Sequence, residues 1–134
     1  MSNIDQLKQQ QRKLAKALRA EAYNNDPNGG ENVCEHWCHY LSQNSIGARA
    51  EQVISVYWPL GDELNPTPLL NTLHQLGHTM VLPVMLGAGK PLIFRQWQPG
   101  DELKHAGFGT REPADDKPAL DPDISTGQFK ASTW

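Results

Sequence analysis

Ser55-Val56-Tyr57-Trp58-Pro59-Leu60-Gly61-Asp62-Glu63-Leu64-Asn65 is the stretch whose reading decides the fold. Val53 to Tyr57 is β-branched and aromatic, the composition of a strand. Pro59 ends the ladder, because proline has no N–H to donate. Asn65-Pro66 is a helix start, with an Asn cap and a proline at the first helical position. A helix over Pro66–Leu76 follows, Gly77 suits its C′ position, and Thr79–Pro83 reads as a second strand shut off by its proline. Strand, helix and strand in that order predict a right-handed βαβ crossover in a parallel sheet. Ligands of open α/β sheets bind in loops at the carboxyl ends of strands. Trp58 and Glu63 occupy such a loop.

Working outward, Leu92–Trp97 reads as a third strand after Gly87-Ala88-Gly89-Lys90-Pro91. That turn is not a phosphate loop, which needs a wider Gly spacing and a following helix; a hairpin-like connection fits better. Trp97-Gln-Pro-Gly-Asp-Glu-Leu103 echoes Trp58-Pro-Leu-Gly-Asp-Glu-Leu64, but the flanks differ, so these are two similar strand exits and not a duplication. Beyond Pro99 the chain loosens, and Pro113–Pro122 reads as an acidic, irregular connection. Toward the N-terminus, residues 3 to about 23 predict a helix. Ser2 and Asp5 resemble a capping box, and Ile4, Leu7, Leu14, Leu18 and Ala22 recur at helical spacing. Asn24–Gly30 is loop-like, Val33–Leu41 suits a second helix, and Ser42–Glu51 a polar connection.

The bulk numbers narrow the classes. A chain of 134 residues is long enough for one domain with a single core. Twelve basic against fifteen acidic residues argue against nucleic acid and membrane-surface partners. No apolar run approaches the roughly 20 residues that span a bilayer, and the Gln/Lys-rich start lacks the apolar core of a secretory signal. Two cysteines suit a reducing compartment. A soluble, cytoplasmic, monomeric protein is the expectation.

Several constellations carry two readings. Lys8, Arg12, Lys16 and Arg19 form a basic stripe, with Lys8 and Arg12 projecting from one helix face. Such a pair suits a polyphosphate, but a solvated helix face is the plainer reading. Trp58 and Glu63 suit a planar, hydrogen-bonding ligand; alternatively Trp58 is core, and Asp62 or Glu63 favours the next helix dipole. Cys34-Glu-His-Trp-Cys-His39 looks metal-like, yet His36 and His39 cannot both join the face shared by Cys34 and Cys38. No second ligand pair stands at zinc spacing, so a packing helix is the reading. Asp115, Asp116, Asp121 and Asp123 read as a flexible acidic loop.

Taken together, these segments resemble the 5-formyltetrahydrofolate cyclo-ligase (methenyltetrahydrofolate synthetase) family. The similarity runs from Lys8 to about Ile124. It covers the Lys8-x-x-x-Arg12 helix, Tyr57-Trp-Pro-Leu-Gly-Asp-Glu-Leu-Asn65, Leu82-Pro-Val84 and Pro91-Leu-Ile-Phe-Arg-Gln-Trp97. It continues through Pro99-Gly-Asp-Glu-Leu103 and Gly107-Phe-Gly-Thr-Arg-Glu-Pro113. The resemblance implies ATP- and Mg2+-dependent closure of 5-formyltetrahydrofolate to 5,10-methenyltetrahydrofolate, with release of ADP and phosphate. Phosphorylating the formyl oxygen makes a good leaving group, so catalysis rests on positioning and on neutralising phosphate charge. Residue by residue, Lys8, Gln9, Gln10, Gln11 and Arg12 match the family's ATP-binding segment, and Trp58 and Glu63 its substrate-contacting positions. The implied fold is a three-layer, Rossmann-like α/β arrangement: a parallel or mixed sheet with helices on both faces.

Residues 1–124 correspond to the N-terminal portion of such a domain. After Asp121-Pro-Asp-Ile124 the family continues with an apolar strand and a glycine-rich segment that carries its magnesium ligands. Residues 125–134, Ser-Thr-Gly-Gln-Phe-Lys-Ala-Ser-Thr-Trp, resemble neither. The expectation is a domain lacking its C-terminal part, with weakened stability and impaired ligase activity, since an absent central strand leaves ladder groups unpaired. A non-catalytic folate-binding or interaction remnant is the alternative.

Overall fold

The computed structural model describes residues 2–43, 51–123 and 125–131 of a mixed α/β chain. It opens with two helices, α1 (Asn3–Asn25) and α2 (Gly29–Gln43). The unit β1 (Val53–Ser55), α3 (Thr67–Gln75) and β2 (Thr79–Val84) comes next. Then follow β3 (Ile93–Trp97), β4 (Leu103–His105), β5 (Arg111–Pro113), β6 (Ala119–Asp123) and β7 (Gln128–Ala131). Five strands form one sheet in the order β1-β2-β3-β6-β7, while β4 and β5 make a separate hairpin. The β1–β2 pair is parallel and the other neighbours are antiparallel.

The βαβ unit forms as its local signals require. Asn65 Oδ1 accepts the Thr67 N–H at 3.0 Å, so the capping side chain is the Asn, one residue before the cap assigned from backbone geometry. At the far end, Gly77 N–H donates to His74 O and His78 N–H to Leu73 O, the paired bonds of a Schellman ending. Strand β2 continues one residue past Pro83. Val56 N–H donates to Val81 O, so odd-numbered β2 residues point their polar groups toward β1. The missing N–H of Pro83 therefore falls beyond the end of β1 at Ser55, where no ladder bond is needed.

Register sorts the core. Ile54, Met80 and Trp97 lie side by side, with Leu82 two residues along the same face. Leu70 and Leu73 of α3 cover that face, with Trp37 of α2 packed at its margin. Burying a leucine fully contributes roughly 1.5–3 kcal/mol, so Leu70, Leu73 and Leu82 anchor helix to sheet. The opposite face carries Val81, Phe94 and Leu120, and Phe94 meets Phe129 edge-on at 5.5 Å. Glu51–Val53 and Thr126–Phe129 border one cavity of about 320 Å³, so the sheet curls its first strand toward its last.

The C-terminal third departs from the sequence expectation. Pro113 belongs to β5, and the strand Ala119–Asp123 takes up the end of the expected connection and runs one residue past it. It pairs with β3 at Phe94–Leu120 and Arg95–Ala119, and Gln128–Ala131 pairs with it as the outer strand. The strand propensity there is poor, and the partners, not the residues, make the ladder. Asn24 and Asn25 finish α1, and α2 begins at Gly29, earlier than its apolar run suggests. Of the expected polar connection, Ser42 and Gln43 are helical, and 44–50 lie outside the described residues.

Candidate functional site

The exit from β1 is held by two local bonds. Glu63 N–H donates to Leu60 O at 3.0 Å, and Gly61 takes the left-handed φ of 53° that this turn demands. The Tyr57 hydroxyl reaches across the loop to donate to Leu64 O at 2.7 Å. Burial, and then the neighbouring Glu63 carboxylate, hold the Tyr57 phenol above its ordinary pKa. Trp58 turns inward and meets Trp97 edge-on at 5.5 Å, a favourable aromatic geometry.

Tyr57 and Trp58 form one wall of a cavity of about 190 Å³, with Leu82, Met85 and Leu92 among its apolar lining. Thr110, Arg111 and Glu112 of the β4–β5 hairpin supply its polar side. Glu112 is the buried charged residue among those described, only 4% exposed. Its Oε1 accepts the Met85 N–H at 2.9 Å. A carboxylate can accept about four hydrogen bonds, so this one retains capacity toward a ligand's N–H groups. The hairpin tip adds Phe108, at φ 59° and 94% exposed. A bulky residue in that backbone region is strained.

The positions expected from sequence separate in space. Trp58 lines the cavity, whereas Glu63 stays outside its lining and faces α1. There Arg19 Nε donates to Asp62 Oδ1 at 2.6 Å, and its Nη1 stands 4.0 Å from Glu63 Oε1. Lys8, Gln9, Gln10, Gln11 and Arg12 are exposed on the other half of α1. At 1.5 Å per residue, Arg12 lies about 10 Å and Lys8 about 16 Å along the axis from Arg19. The basic stripe thus meets the carboxylate turn through Arg19 alone among the described residues.

Sequence reasoning missed Glu112, Phe108 and the role of Arg19. A glutamate between arginine and proline carries no local sign of burial; the pairing of β5 with β4 and its packing on β2 create it. Among the described residues, no group of three His, Cys, Asp or Glu side chains converges on a metal-sized point. No described element faces Lys8 and Arg12 to enclose a triphosphate. These residues as they stand do not fit a bound Mg2+–ATP. The chain matches no family model, no curated protein and no solved structure. Its likeness to the cyclo-ligase family accordingly rests on the short segments quoted above.

Proposed function

We propose that this chain is a folate-binding α/β protein of the cyclo-ligase kind, taking the bicyclic ring of 5-formyltetrahydrofolate at the Tyr57–Trp58 corner. The observation that carries this is the pairing of an aromatic wall with the buried Glu112 carboxylate in one small cavity. A reduced pterin presents adjacent N–H groups on one edge and a flat, weakly polar face. A carboxylate accepts from the first and an indole packs on the second. A volume of about 190 Å³ is below the roughly 300–1,000 Å³ of whole-ligand pockets. It suits a ring system whose tail remains outside. In this reading the sheet is the middle layer of a Rossmann-like three-layer arrangement, with α3 and α2 on one face.

The ring-closing reaction is the second reading, favoured by the Lys8–Arg12 segment and its family counterpart. It needs a phosphate site that the described residues do not enclose, so binding without turnover is the conclusion. Calorimetric titration of the chain with 5-formyltetrahydrofolate should give saturable binding that Trp58→Ala weakens about tenfold or more, the scale of an aromatic anchor. Absence of binding would sink the proposal. ATP- and Mg2+-dependent appearance of the methenyl product would establish the second reading instead.

A further inference from the structure

We propose that Cys34 and Cys38 form a two-coordinate site for a soft monovalent cation of the copper(I) class. The residues stand one turn apart on α2, so their side chains project from the same face. Both are free and half-buried, reachable from solvent without being loose on the surface. A chain of hydrogen bonds orients Cys34. The Thr72 hydroxyl donates to Pro68 O at 3.1 Å, leaving its oxygen to accept from the Cys34 thiol at 3.3 Å. The Cys38 thiol follows one turn later on the same face. Helix α3 thereby holds Cys34 in place beside it.

The chemistry selects the ion. Thiolate sulfur prefers soft cations, and copper(I) accepts two sulfur ligands. Structural zinc needs four ligands, and no third His, Cys, Asp or Glu joins the pair among the described residues. Residues 44–50 contain none of these types either. On binding, two S–Cu bonds form and both thiol protons leave to solvent, with no change of oxidation state. A cation between the sulfurs neutralises the repulsion of adjacent thiolates.

The test is anaerobic titration of the reduced full chain with copper(I) against a colorimetric copper(I) chelator. One copper per chain is expected, with proton release, and Cys34→Ser and Cys38→Ser should each weaken retention about tenfold or more. The same competition in urea should also lose about tenfold, because a melted helix no longer holds the thiols together. This arm uses the native sequence and decides the matter even where a serine variant misfolds. Equal retention by either single variant, undiminished retention in urea, or no retention by the folded chain would each overturn the proposal.

Discussion

Glu112 offers the sharpest separation of stability from binding. Replacing it with alanine removes the acceptor of the Met85 N–H and leaves that donor unpaired in a partly buried setting. An unpaired buried donor costs roughly 1–3 kcal/mol, and losing the γ-methylene adds about 0.8 kcal/mol. Relief of burying a charge offsets part of this, so Glu112→Ala should destabilise by about 1.5–3 kcal/mol. Glu112→Gln keeps a carbonyl acceptor of the same reach and removes the charge. Its cost should stay within about 1 kcal/mol. Folate binding should respond in the opposite proportion. The amide presents donors where the carboxylate only accepts, and losing a charge-assisted hydrogen bond of roughly 1.5–3 kcal/mol weakens binding about tenfold to a hundredfold. Urea unfolding gives the first quantity and calorimetry the second. A Gln variant that unfolds as easily as the Ala variant, or binds folate as well as the parent, would refute the assignment.

Leu70, 1% exposed between α3 and the sheet, should cost about 3–5 kcal/mol as Leu70→Ala, read from the shift of the urea midpoint. A methyl group at Gly30 would stand 2.2 Å from the Asn65 carbonyl oxygen, which is backbone and cannot swing away. Gly30→Ala should therefore destabilise by about 1–3 kcal/mol; a thermal melt that does not move would disprove that close approach. Arg19→Ala breaks a partly exposed ion pair and should cost only about 0.2–1 kcal/mol, with the difference fading at high salt. Bonds from Ser125 hold the Asp123 carboxyl below its ordinary pKa. Stability from that group is present above the ordinary carboxylate range and lost as pH falls through the depressed value. The protection of the Gly127 amide relative to its intrinsic exchange rate, its N–H donating to Asp123 O, should fall on acidification, and Asp123→Asn should flatten that dependence.

The β1–α3–β2 unit was legible because its signals are local. An Asn cap, a Schellman glycine and a β-branched run each work within a few residues. The antiparallel turn into β3 was legible for the same reason, through its glycines. Ala119-Leu120-Asp121-Pro122-Asp123 was not, because nothing in it favours a strand. It becomes one by lying against Phe94 and Arg95. The place of Trp58 at the exit of β1 was readable from the chain, while the depth of Glu112 depended on a hairpin folding back over β2.

The basic stripe shows where the boundary falls. Helical periodicity by itself determined that Lys8, Arg12, Lys16 and Arg19 share one side of α1, and the Ser2–Asp5 box determined where that helix starts. Which of the four cations meets Asp62 and Glu63 was decided only in three dimensions, in favour of Arg19. The reason is physical. Capping and periodicity arise from bonds within one or two turns, whereas an ion pair forms where two distant segments are brought within about 4 Å by the packing of everything between them.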